Sequence, residues 1–143
     1  MAGEVLVGYD GQEGAVAALN TATAIAAAFD RELVIVFGYR PAAIGGDVTD
    51  LGRAVRELGE KMGAQAIAAV RTQDASVTAT VELVDDRPAE ALLRAAEEHE
   101  ALAIVVGATG HGPIKGSLLG SVTYQIVHRS TRPVVVVPAP PAD

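Results

Sequence analysis

The chain has 143 residues, enough for one domain around one core, and its formal net charge of −7 disfavours nucleic acid and anionic membrane, because both demand a positive surface. There is no cysteine, which excludes disulfides, zinc–thiolate sites and Cys nucleophiles. Half the residues are hydrophobic but only two Phe and three Tyr are aromatic, so the core must be built from Val, Ile, Leu and Ala.

The opening MAGEVLVGYD has no basic segment and no long apolar stretch. Neither a signal peptide nor a membrane span is expected, and the cytoplasm is the expected compartment. Glu4 to Asp10 is a short apolar run ending in turn residues and reads as a buried strand. The next segment places Ala15, Leu19, Ala22, Ile25, Ala26 and Phe29 at helical spacing. RELVIVFGYR repeats the strand pattern, and PAAIGGD is a loop. A long helix follows from Val48 to Thr72, with Asp47 or Thr49 as N-cap and Gly52, Gly59 and Gly63 near one face. Glycine there costs about 1 kcal/mol each against Ala, so close packing of the helix on a sheet or a partner is expected.

SVTATVELVD is a strand whose alternating start fits a sheet edge. Asp85-Asp86 is a turn, and Pro88 opens the helix RPAEALLRAAEEHE in its first turn, where proline is tolerated. ALAIVVGA is a fourth strand, GSVTYQIVHRS a shorter helix, and RPVVVVP a fifth strand bracketed by Pro133 and Pro138. Residues 1–138 are expected to form one domain, with 139–143 a loose tail. Unalternating Val and Ile runs suit strands covered on both faces. The expected fold is therefore α/β: an open five-stranded parallel sheet with helices on both faces. With strand order 3-2-1-4-5, the order reverses between strands one and four, and ligands of such sheets bind beyond the strand ends at that point.

The stretch from Val105 to Val122, VVGATGHGPIKGSLLGSV, begins there. Glycine raises the entropy cost of folding, so repeated glycine in one connection needs an offsetting gain. A Walker A loop fails, because Lys115 precedes Gly116 rather than following it. A dinucleotide fingerprint fails too, with Lys115 in the third glycine's place. Gly107, Gly110, Gly120 and Ser121 do fit the spacing G-x2-G-x9-G-[ST]. With VLVGYDG at the opening and RPVVVVP at the close, the chain resembles the universal stress protein family over nearly its whole length, and a Rossmann-like sheet of the adenine nucleotide alpha hydrolase type is implied. Gly8 and Gln12 depart from the pattern, where that family more often has Pro or Val, and Ser.

The resemblance implies a site for ATP or another adenine nucleotide, with Mg²⁺. Gly8, Asp10, Gly38, Val106, Gly107, Gly110, Gly120, Ser121 and Val122 would form it. Asp10 would accept from ribose hydroxyls, and backbone at Gly38 would meet the adenine. Independently of the family, Gly120 and Ser121 at a helix N-terminus suit phosphate, because free N–H groups and the helix dipole favour an anion. Lys115 could add one positive charge, and His111 lies in the same loop. His99, within EEHE, reads as a solvated helix end, because its neighbouring glutamates do not share a face with it.

The expected function is an ATP-binding regulatory module in stress response. The alternative is a slow ATP hydrolase or self-phosphorylating enzyme. Phosphoryl transfer needs a positioned base, a metal site and charge clamps, and the sequence offers no clear general base, so binding is expected rather than turnover, with weak ATPase activity at most. The strand Val134–Val137 would be an apolar sheet edge, which natural proteins usually cover. Pairing with the same strand of a second copy across a two-fold axis is the economical solution, and the resemblance favours that homodimer.

Overall fold

The computed structural model describes residues 3–11, 13–39, 48–108 and 119–138. Strands and helices alternate along the chain: β1 (Val5–Gly8), α1 (Glu13–Phe29), β2 (Leu33–Gly38), α2 (Val48–Gln73), β3 (Ala79–Val84), α3 (Pro88–Glu98), β4 (Ala103–Gly107), α4 (Ser121–Arg129) and β5 (Val134–Val137). The strands form one parallel sheet in the order β3-β2-β1-β4-β5, as the Val and Ile runs predict. β1 is central: Val5 pairs with Leu33 on one side and with Ala103 on the other.

Alternate strand residues feed two cores. Val5, Val7, Leu33, Ile35 and Val105 pack under α1 and α2, against Leu19, Ala22, Ala66 and Val70. Leu6, Val34, Val36, Ile104 and Val106 pack under α3 and α4, against Ala91, Leu92, Ala95 and Ile126. Both faces are covered, which is why β1, β2, β4 and β5 carry no polar alternation; only β3, at the edge, sets Thr80 and Glu82 between Ala79, Val81 and Leu83. The small residues on the helices bring them close to the sheet. A side chain at Gly59 of α2 would meet the Phe37 ring at 2.6 Å, and one at Gly63 would meet Val81 at 2.8 Å. The close helix–sheet packing expected of these glycines is therefore present.

Three local expectations need correction. Phe29 continues the apolar stripe of α1 but is 61% exposed, at the last helical residue. Asp86 is not only a turn residue. It is buried, accepts from the Arg87 N–H at 2.8 Å and is paired with Arg94. His99 is not a merely solvated helix end. Its Nε2 lies 2.8 Å from Glu82 of β3, and its Nδ1 lies 3.4 Å from Glu4, just before β1. Burial opposes the charged ring, but the hydrogen bond and charge of Glu82, aided by Glu4, raise its pKa on balance.

The loop expected at 41–47, the Asp47 cap and the tail 139–143 lie outside the described residues. Among the described residues, no helix is long and apolar enough to cross a membrane.

Candidate functional site

β1 and β4 are neighbours, but the chain leaves them in opposite directions. After β1 it crosses to α1 on one face; after β4 it crosses to α4 on the other. That divergence opens a crevice beyond the strand ends. A cavity of about 420 Å³ fills it. Its floor is the ends of three strands: Gly8 with Tyr9 and Asp10, Val36 to Gly38, and Val106 with Gly107. Its walls are Ala15 of α1, Pro88 and Leu92 of α3, and Ser121 to Thr123 of α4.

The first turns of α1, α3 and α4 therefore converge on one space. Each helix start carries unpaired N–H groups and about half a positive charge from its dipole. The N-caps of α3 and α4, Arg87 and Gly120, make no side-chain capping bond, so those amides are not satisfied from that source. A protein of net charge −7 thus presents a locally electropositive backbone at this one end of its sheet. An anion with an apolar or aromatic body matches such a space. Burial raises the pKa of the Tyr9 phenol, and the charge of Asp10 adds to this, so the ring stays neutral at physiological pH. Asp10 itself lies exposed at the rim.

The glycines here have packing reasons of their own. A Cβ on Gly107 would stand 2.8 Å from the Gly14 carbonyl oxygen, so its absence lets the first turn of α1 sit against the end of β4. A Cβ on Gly38 would meet backbone of Pro88 at 2.8 Å and the Ala91 side chain at 2.9 Å, so α3 can close against β2. At Gly8 only the tip of the Leu92 side chain interferes, at 2.8 Å. These contacts shape the cavity walls whatever occupies it.

Of the residues expected at a nucleotide site, Gly8, Asp10, Gly38, Val106, Gly107, Ser121 and Val122 border this single cavity. Gly120 caps α4 beside it without lining it. Gly110, His111, Gly112, Pro113 and Lys115 lie outside the described residues, as does Gln12. Sequence reasoning missed Tyr9, Ala15, Val36, Phe37, Pro88, Leu92 and Thr123. Tyr9, Phe37 and Thr123 adjoin expected residues in the chain, and the others lie at strand ends and helix starts, so the signal available was position at the sheet's reversal.

A family model described as "Universal stress protein family" matches residues 1–138. The chain belongs to the universal stress protein family. Among curated relatives it is 34% identical over 138 residues to a universal stress protein of Thermus aquaticus, covering 93% of this chain and 96% of that one. Among solved structures, the universal stress protein UspA from Lactobacillus plantarum superposes with a TM-score of 0.82 at 24% identity, covering 95% of this chain and 97% of the other, which supports the fold. A universal stress protein solved in complex with cAMP gives a TM-score of 0.71 at 28% identity, covering 97% of this chain and 99% of its own. The family match ends one residue past β5, so it takes in the whole sheet and every wall of the cavity.

Proposed function

We propose that this universal stress protein is a nucleotide-dependent regulatory module that binds ATP, with Mg²⁺, in the crevice between β1 and β4. The observation that carries the reading is the convergence of three helix N-termini on one cavity at the point where strand order reverses. The helix starts supply donors for phosphates, and the apolar floor near Val36, Phe37 and Gly38 suits a planar base. Asp10 at the rim would accept from the ribose. A family relative solved with an adenine nucleotide lends support. Binding would act by changing conformation or partner choice in the cytoplasm. Mass spectrometry of small molecules released from the purified protein tests this. An adenine nucleotide at near-stoichiometric amount is expected; no nucleotide, together with no uptake of added ATP, contradicts it.

The same reading includes a homodimer paired through Val134–Val137. Among the described residues, β5 is hydrogen-bonded to β4 on one side only. On α4, Thr123 and Ile126 are buried toward the sheet and Arg129 pairs with Glu90 of α3. Tyr124 and Val127, 54% and 43% exposed, fall on the flank of α4 away from Arg129. Light scattering after size exclusion should give twice the chain mass at tens of micromolar, and a monomer would refute the pairing.

A further inference from the structure

The cavity's phosphate-facing wall is the first turn of α4, and something must hold that turn in place. Three hydrogen bonds meet there. The Ala108 N–H donates to the Val137 carbonyl at 2.8 Å, which extends the β4–β5 ladder past the strand end. The Gly120 N–H donates to the Ala108 carbonyl at 2.9 Å, tying the helix cap back to the strand that precedes it. The third bond comes from a side chain. Thr123 is 4% exposed, and its hydroxyl donates to the Gly107 carbonyl at 2.6 Å. Gly107 is in turn fixed, because it abuts the backbone of Gly14 where α1 begins.

Among the described residues, Thr123 is thus the one side chain of α4 that hydrogen-bonds directly to the floor of the cavity. We propose that Thr123 is a positioning residue for phosphate: its bond to the Gly107 carbonyl sets the rotation and depth of α4, so that the amides of Ser121 and Val122 and the Ser121 hydroxyl face the ligand. This rests on the nucleotide-binding reading above. A helix rotates as a unit, so a bond at its third residue acts with the buried Ile126 and the Arg129–Glu90 pair to fix which groups its first turn presents. Ser121 is ready for that task. Its oxygen accepts weakly from the Gln125 amide at 3.4 Å, so the hydroxyl hydrogen remains a donor. Positioning gives this buried polar side chain a reason to stand where a Val would fill the same volume.

The role predicts a particular pattern of loss. Thr123→Val keeps shape and removes the bond. It should weaken ATP and ADP about tenfold, the effect of one well-made hydrogen bond. It should leave adenosine affinity within about twofold, because the base and ribose meet other walls. Thr123→Ser restores the hydroxyl and should restore ATP affinity. A residue that only stabilised the fold would lower the melting temperature and weaken all three ligands alike. Calorimetric titration of the parent and both variants with ATP, ADP and adenosine decides it. If the parent binds ATP and Thr123→Val binds it equally well, or loses adenosine to the same degree, the positioning role is overturned while the nucleotide-binding reading stands. If the parent binds no nucleotide, that reading itself has failed. Should Thr123→Val not fold, Thr123→Ala and Thr123→Ser carry the same three-ligand comparison.

Discussion

Gly107 belongs to the signature spacing, yet the structure gives it a task that needs no ligand, and Gly107→Ala separates the two. The new Cβ would lie 2.8 Å from the Gly14 carbonyl oxygen, 3.0 Å from its carbonyl carbon and 3.3 Å from its Cα, where ordinary contact begins at 3.4 Å. All three atoms are backbone, so no side chain can rotate aside. Either the first turn of α1 or the end of β4 must move. Overpacking of this kind costs about 1–3 kcal/mol. Alanine also stiffens the unfolded chain, which offsets about 0.4–1 kcal/mol. The expected net loss is about 1–2 kcal/mol without any nucleotide. Gly8→Ala is the control, because its Cβ meets only the Leu92 side chain, whose tip can swing away. Its net effect should stay within about 0.5 kcal/mol. Urea unfolding of nucleotide-free protein measures both, through the midpoint at unchanged slope. A Gly107→Ala protein as stable as the parent, or a Gly8→Ala protein equally damaged, refutes the packing account of these glycines.

The remaining predictions concern pH, assembly, the base wall and turnover. The His99 pKa is raised in the folded protein from its ordinary 6.5, so the Glu82 and Glu4 contacts contribute stability fully below that value and lose it as pH rises through the folded pKa. The difference in unfolding midpoint between parent and His99→Gln should therefore shrink toward alkaline pH; a pH-independent difference counts against the cluster. Val127→Glu should dissociate the proposed dimer without unfolding it, as seen by light scattering and circular dichroism. It is the cleaner test than an Arg at Val135, because Val135 packs on the α1-side core. Gly38→Val should abolish nucleotide binding by pushing α3 off β2, with calorimetry as the readout. ATP turnover should stay below about 1 s⁻¹, an ordinary enzyme rate, and a faster metal-dependent rate would favour the hydrolase alternative.

The sheet was legible because its physics is local and strong. Runs such as LVIVF and VVVV need cover on both faces, and the alternation with helices leaves few topologies. The spacing of Gly107, Gly120 and Ser121 pointed to the crevice because it follows β4, where the strand order turns. What the sequence hid depends on distant pairs. His99 sits among glutamates, yet the carboxylates it faces come from β3 and from Glu4, just before β1. Thr123 looks like any helical Thr until its hydroxyl is seen against the Gly107 carbonyl. Gly107 reads as a place for a ligand, and its neighbour proves to be Gly14 in the first turn of α1. Phe29 obeys the helical period but outruns the surface that would bury it.

The central claim is that an adenine nucleotide binds where the N-termini of α1, α3 and α4 meet. Calorimetric titration of ATP with Mg²⁺ into nucleotide-free parent and Gly120→Val tests it most directly, since Gly120 caps α4 and its N–H ties that helix to Ala108. The account predicts saturable one-to-one binding to the parent, with circular dichroism showing an intact fold and calorimetry no heat for the variant. No heat from the parent, or equal binding by a folded Gly120→Val protein, would contradict it.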